Sequence, residues 1–298
     1  MLIEQKGARS MSSSLETQDF RGGLEVVKRP EGNTAAPFLE HIGRPDVKEV
    51  LIPQRPWVYY SMEIYRPDLK GQGGLGMLAS DTVEVSKETG IPMVMVTPFY
   101  HVESFQTLDR EVDESGNIRA FRHRTLLKSA DPEERGFEKI GSVKIKTGID
   151  SPEFDVRVKQ EGSVTLLTID EQNYRELYAG ESNSDHRLYQ EVALGFGGYE
   201  AVKLLQVEPS VNQQLNEAPT VFAALARFDE QLTQKEMALV EQREIESVDN
   251  LPLDDRYAAF CDVLKEIRDT TIYTNHTLVQ AVEGRFNRGQ FEHFVMPN

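Results

Sequence analysis

The chain has 298 residues, enough to bury a full core as one large or two small domains. A formal charge of −16 argues against sequence-independent nucleic-acid binding, which needs a basic surface over the phosphates, but leaves neutral polymers such as glucans open. The single cysteine excludes an internal disulfide, the six histidines lack metal-ligand spacing, and no run is apolar enough for a membrane span or a signal-peptide core. The expectation is a soluble, cytoplasmic protein with no metal site and no nucleic-acid or membrane partner.

Residues Met1 to about Pro45 are polar, with four serines between Ser10 and Ser14 and glycines at 22, 23 and 32. A mobile tail over 1–45 is expected, with a folded unit over 46–298. Phe38 and Leu39 leave open an arm that docks on a partner domain.

The most informative stretch runs from Trp57 to Gly90. Trp57, Val58, Tyr59, Tyr60 and Met62 form a short apolar run that predicts a buried strand. Gly71, Gly73, Gly74 and Gly76 follow, expected as a loop free to take positive φ, and Leu75, Leu78, Ala79 and Val83 then recur at helical spacing. Strand, glycine loop and helix in that order place backbone N–H groups and a helix N-terminus at the carboxyl end of a strand, where an oxyanion is stabilised. The glycine spacing alone is a weak signal, equally compatible with a tight turn. Ile91 to Val96 is almost unbroken in its apolarity and predicts a second parallel strand, completing a βαβ unit.

From Asn117 to Asp170 the pattern becomes one of short strands: Val143, Ile145, Phe154, Val156, Val158, Val164, Leu166 and Ile169 alternate with polar partners. A β-rich insertion is expected at about 117–170, with Asp131 to Arg135 as a solvated loop. Leu188, Val192, Tyr199 and Val202 share one helical face, and Gly195, Gly197 and Gly198 inside that helix imply either the close approach of another backbone or a kink. Val211 to Leu215 predicts a strand. Two acidic helices follow, Glu230 to Glu241 and near Asp254 to Arg268. The second places Tyr257, Phe260, Cys261, Leu264 and Ile267 on one face, so Cys261 is expected to be buried, in a surface helix pair or a partner-binding helix. Thr271 to Thr274 is a last short strand, running into Asn275-His276.

Several of these strings resemble the α-glucan (glycogen, starch, maltodextrin) phosphorylases. Tyr60-Ser61-Met62-Glu63 with Gly73-Gly74-Leu75-Gly76-Met77-Leu78-Ala79-Ser80-Asp81 is similar to "YFSMEF … GGLGxLAGD". Tyr100, Phe105 and Gln106 match "LLYRQGYFxQ", although core packing explains the aromatics as well. Arg187-Leu188-Tyr189-Gln190-Glu191 and the glycines after it resemble "RLxQExxLGxGG", Asn216, Glu217 and Phe222 match "HLNEGHAAF", and Thr274 to Thr277 matches "TNHT". One position departs: Pro219 stands where the family has a histidine, and a proline ring offers no hydrogen-bond donor.

The resemblance implies an α/β fold: a Rossmann-like domain with a β-rich insertion, equivalent to the N-terminal half of a two-Rossmann-domain (GT-B type) glycosyltransferase. It implies phosphorolysis of terminal α-1,4-glucosyl units to glucose 1-phosphate. His276 and Glu217 would be the catalytic residues of this half, with Gly73, Gly74, Leu75, Gly76 and Asn275 facing glucan and phosphate, and Tyr65 beside pyridoxal 5′-phosphate. The cofactor's lysine belongs to the family's C-terminal domain, whose "EASGTSNMK"-like string is absent from this sequence. A complementary cofactor-binding domain, or self-association through an exposed cleft wall, is therefore expected. The alternatives are a non-catalytic glucan-binding or regulatory subunit and a glycogen-synthase-like nucleotide-sugar glucosyltransferase. Against the latter, Gln72 precedes Gly73-Gly74 where that family has a Lys-x-Gly-Gly form.

Overall fold

Strand β1 (Trp57–Tyr60) is the centre from which the chain builds outward. The computed structural model describes residues 51–71, 73–112, 115, 118–147, 151–171, 177, 184–209, 211–215, 219–274 and 286–295. The predicted tail lies outside them. From β1 the chain crosses through helix α1 (Gly73–Thr89) to β2 (Met93–Phe99), which pairs with β1 in parallel, as the apolar runs required. Strands β3 (Val102–Val112) and β4 (Ile118–Ser129) then form a separate antiparallel hairpin. Next come β5 (Glu138–Lys144), β6 (Glu153–Glu161) and β7 (Val164–Asp170). These three join the main sheet, β7 pairing in parallel with β2, and β5 and β6 forming an antiparallel edge.

The chain returns across the sheet through α2 (Asp185–Val192), a π-helical turn (Ala193–Gly197) and α3 (Gly198–Lys203) to β8 (Val211–Leu215), on the far side of β1. Helices α4 (Pro219–Gln242) and α5 (Leu253–Asp269) lead to β9 (Thr271–Thr274), and α6 (Arg288–Phe294) is the last described element. The sheet order is β5-β6-β7-β2-β1-β8-β9, so its parallel part runs outward from β1 in one direction and then in the other. This is a Rossmann-like α/β fold. The reversal at the β1/β8 boundary is where such sheets open a crevice beyond the carboxyl ends of their strands.

Alternation along each central strand fills both faces. Val58, Tyr60, Val94 and Val96 pack with the α2–α3 run, while Tyr59, Met93 and Met95 pack with Leu75, Ala79 and Val83 of α1. The glycine-bearing helix approaches side chains of the sheet, not another backbone. A Cβ on Gly198 would lie 2.9 Å from Val96 Cγ1 and 3.2 Å from Tyr60 Cε1, so glycine is what allows this helix to press onto β1 and β2. The π turn sits just before that contact, the device by which a helix reorients without proline.

Two expectations for the helices are corrected. Helix α4 begins at Pro219, eleven residues before the predicted Glu230 start, because proline fits the first helical position, where its missing N–H has no intrahelical partner. In α5 the buried residues are Ala259, Val263 and Ile267, whereas Tyr257, Phe260, Cys261 and Leu264 are exposed. The helix has apolar residues around a wider arc than its neighbour covers.

Candidate functional site

The carboxyl edge of the sheet is built around the segment that leaves β1. Ser61 continues the β1–β2 pairing by donating its N–H to Val96 O at 2.9 Å, and the Tyr100 hydroxyl donates to Met62 O at 2.8 Å. The Ser61 hydroxyl donates to Glu63 O at 2.7 Å and accepts from the Glu63 N–H at 3.3 Å, which turns the chain sharply at the strand end. Glu63, Met62 and Ile64 are buried as a result.

The glycines have a different task from the one expected. Helix α1 begins at Gly73, so the GGLG string is its first turn, and Gly71, Gly74 and Gly76 are not in the left-handed backbone region. They serve close approach. A Cβ on Gly71 would lie 2.4 Å from the carbonyl carbon of Ile64 and from the Tyr65 nitrogen, and one on Gly76 would lie 3.1 Å from Glu63 Oε2 and 3.2 Å from Gly71 Cα. The returning loop and the helix start can nest only where side chains are missing. Tyr65 N–H donates to Gly76 O at 3.0 Å and Ile64 N–H to Lys70 O at 3.1 Å, closing the nest.

The electrostatics of this turn follow from its geometry. The first N–H groups of an α-helix have no intrahelical acceptor and carry the positive end of its dipole. No acidic side chain lies in the first turn of α1, and nothing stands within 4 Å of a Cβ built on exposed Gly74. The buried Glu63 carboxylate lies on the other side, against Gly76. The turn thus has an acidic inner face and an open outer face.

A network of charged groups holds the loop in place. Arg66 pairs with Asp68 at 3.2 Å, Glu84 of α1 at 2.9 Å and Glu161 of β6 at 2.6 Å, while Lys159 reaches Asp68 at 2.6 Å and Lys87 reaches Glu161 at 3.0 Å. Burial pushes the Asp68 and Glu161 carboxyls up, but the hydrogen bonds and charges of Lys159, Lys87 and Arg66 outweigh it and hold both below the usual carboxylate range. This network ties the post-β1 loop to a helix and a strand distant in sequence, an arrangement no local pattern reveals.

Of the predicted site residues, the structure brings Gly74, Leu75, Gly76 and Tyr65 together with the Gly73 backbone at this turn; Leu75 is buried and Tyr65 is 57% exposed. Glu217, Asn275 and His276 lie outside the described residues. The strands that lead to them, β8 and β9, are parallel to β1 in adjacent positions, with Tyr60 in register with Gln214, and Leu215 with Thr274.

A hollow further along the same edge has no counterpart in the sequence reading. A cleft of about 690 Å³ opens beyond β2 and β7, lined in part by His101, Glu133, Asp155, Arg157 and Asp170. Asp170 accepts from His101 Nε2 at 2.5 Å and from Arg157 Nε at 2.9 Å. The Asp170 hydrogen bond raises the His101 pKa, against the effect of burial. With Asp131, Glu153 and Glu171 also on its wall, this cleft is acidic and a poor fit to phosphate. The signal that could have found it is register: Phe99 and Asp170 end neighbouring parallel strands, so His101 two residues on falls beside the carboxylate.

Among the described residues, no helix is long and apolar enough to cross a membrane, and no group of three or more His, Cys, Asp or Glu is arranged to hold a metal ion.

No protein-family model matches the chain. Over 259 residues it is 26% identical to maltodextrin phosphorylase of Thermococcus litoralis, covering 80% of this chain and 27% of that protein. Over 262 residues it is 25% identical to glycogen phosphorylase of Mycobacterium tuberculosis, again covering 80% of this chain and 27% of the relative. The chain therefore spans about a quarter of the length of these relatives. Among solved structures, the catalytic domain of starch synthase IV from Arabidopsis thaliana, bound to ADP and acarbose, aligns with a TM-score of 0.35 at 11% identity, covering 60% of this chain and 31% of that one. By sequence, the chain is similar to maltodextrin and glycogen phosphorylases over 80% of its length.

Proposed function

We propose that this chain forms one wall of an α-glucan phosphorylase-type glycosyltransferase site, in which phosphate cleaves terminal α-1,4-glucosyl units to glucose 1-phosphate. One observation carries this reading. The three adjacent parallel strands β1, β8 and β9 each lead, at the same edge, into one of the family-like strings: the GGLG turn, Asn216-Glu217 and Asn275-His276. In this proposal the open N-terminal turn of α1 faces the phosphate and the sugar, with Glu217 and His276 beside the reacting unit. Preorganised N–H dipoles at such a turn stabilise charge that grows on phosphate oxygens in the transition state, contributing several kcal/mol.

The opposite wall, with the lysine that holds pyridoxal 5′-phosphate, is assigned to a complementary domain. When bound, that cofactor supplies a phosphate group for proton transfer. On this chain Tyr65 suits it, because its ring is largely exposed next to the glycine turn and offers a flat face for stacking. The chain's own part is to bind and orient glucan and phosphate. Pro219 at the start of α4 favours a second reading, a glucan-binding subunit without catalysis, since the family's histidine is missing there.

The test uses Gly74→Asp. A side chain there meets nothing within 4 Å, and a carboxylate at a helix N-terminus favours the helix, so the variant should fold at least as well as the parent. Inorganic phosphate binding to the full chain, measured by calorimetry, should weaken about tenfold or more in the variant, and binding of uncharged maltoheptaose should weaken much less. Glucose 1-phosphate should form from maltodextrin and phosphate only when the chain is mixed with a lysine-bearing phosphorylase C-terminal domain. Phosphate binding that Gly74→Asp leaves intact overturns the assignment of the turn. Glucan binding with no product in the mixture favours the second reading.

A further inference from the structure

The 64–71 loop, between the end of β1 and the glycine turn, is fastened at its ends and again at its tip. Ile64 and Leu69 are buried in the core beside Leu75 and Ala79 of α1. The two ends clamp the first turn of that helix, through the Ile64–Lys70 and Tyr65–Gly76 hydrogen bonds and the bare Cα of Gly71. The tip turns back where the Leu69 N–H donates to Arg66 O at 3.3 Å. From there Arg66 reaches far down α1, to Glu84, about 12 Å along the helix axis from Gly76.

Arg66 uses the whole of its guanidinium. Nε donates to Asp68 of the loop at 3.2 Å, Nη1 to Glu84 of α1 at 2.9 Å and Nη2 to Glu161 of β6 at 2.6 Å, with the side chain only 10% exposed. Each acceptor also meets a lysine: Lys159 at Asp68, and Lys87 between Glu84 and Glu161. Cations and carboxylates therefore alternate, and the guanidinium sits where loop, helix and strand meet. A lysine at 66 has the charge but a single nitrogen, so it cannot face carboxylates on three elements at once. Without the guanidinium, Lys87 and Lys159 alone would balance three carboxylates, an excess of negative charge that pushes the tip off α1 and β6.

We infer that Arg66 is a positioning residue of the glycine turn: by pinning the tip of the loop to α1 and β6, it holds the loop's ends against the first turn of α1 and keeps the open N–H groups there in one arrangement. The functional half of this inference rests on the reading of the turn as the phosphate wall of the site. None of the three acceptors lies in the first turn of α1, so Arg66 acts through the loop and not by touching an anion. The gain is preorganisation, because N–H groups that are already fixed lose no order when the anion arrives.

The test compares the full chain with Arg66→Lys and Arg66→Ala, using inorganic phosphate in calorimetry and hydrogen exchange at the Ile64 and Tyr65 amides. Both variants should keep the circular dichroism spectrum of the parent, exchange these two amides about tenfold faster or more, and bind phosphate about fivefold more weakly. Ethylguanidinium chloride added to Arg66→Ala should restore most of the affinity, since it returns the three-nitrogen fork, whereas ethylammonium chloride at the same ionic strength should not. Should Arg66→Ala fail to fold, Arg66→Lys carries the test through its exchange and its phosphate affinity. Unchanged exchange in Arg66→Lys, faster exchange with phosphate affinity intact, or equal rescue by the two salts overturns the proposal. A parent chain that binds no phosphate overturns the phosphate reading of the turn, and exchange then decides the role of Arg66 by itself: faster exchange in Arg66→Lys supports it, and unchanged exchange overturns it.

Discussion

Helix α1 and the α4–α5 pair differ in how much of their surfaces the body of the protein uses. At the start of α1, glycines at 71 and 76 let backbone meet backbone at distances no side chain allows, and charged groups from two other elements lock the loop. In α5 a stripe of three residues is buried, and of the apolar residues beside it Phe260 packs edge-to-face on Phe228 of α4 while Leu253, Tyr257 and Leu264 are left largely in solvent. The lesson is that apolar spacing says a helix has a face to cover, and glycine placement says where the cover is tight. Neither says whether the cover belongs to the same chain.

The comparison breaks most directly at Gly71. Gly71→Ala sets a methyl 2.4 Å from the Ile64–Tyr65 peptide, so a loss of about 3 kcal/mol or more is expected in denaturant unfolding, because backbone on both sides is held. A loss under about 1 kcal/mol would mean that the nest is loose. Next in size is Val263→Ala in the buried stripe of α5, expected to cost about 2 kcal/mol from lost burial and the small cavity left behind.

A smaller effect comes from acid. Asp68 and Glu161 have folded pKa values held below their ordinary ones, so their pairs contribute stability that is present above the unfolded pKa and is lost as pH falls through the folded values. Unfolding measured from pH 6 down to pH 2 should therefore fall less steeply in Asp68→Asn than in the parent, and an unchanged slope would remove the network from the account of this loop. The smallest effect is expected one residue from the largest in α5. Leu264→Ala should shift stability by less than about 0.5 kcal/mol. A cost equal to that of Val263→Ala would mean that the exposed stripe is covered within the monomer.

The sequence by itself determined the strand–helix–strand unit at the start of the folded region, the parallel run of β2, the strands at 164–170 and 211–215 and the helix carrying three glycines. These are legible because a strand buried on both faces must be continuously apolar and a helix must repeat its apolar residues about every 3.6 positions. The family-like strings were legible for the same reason of locality: each lies in a few consecutive residues.

Tertiary structure decided the rest. That β8 returns to the far side of β1, that GGLG is a helix turn pressed on Glu63, and that Asp170 meets His101 and Arg157 depends on strand order and register, which couple residues far apart in sequence. The side of α5 that is buried was decided there too. Its apolar arc is wider than one helix can cover, so periodicity names both stripes and only packing against α4 chooses between them.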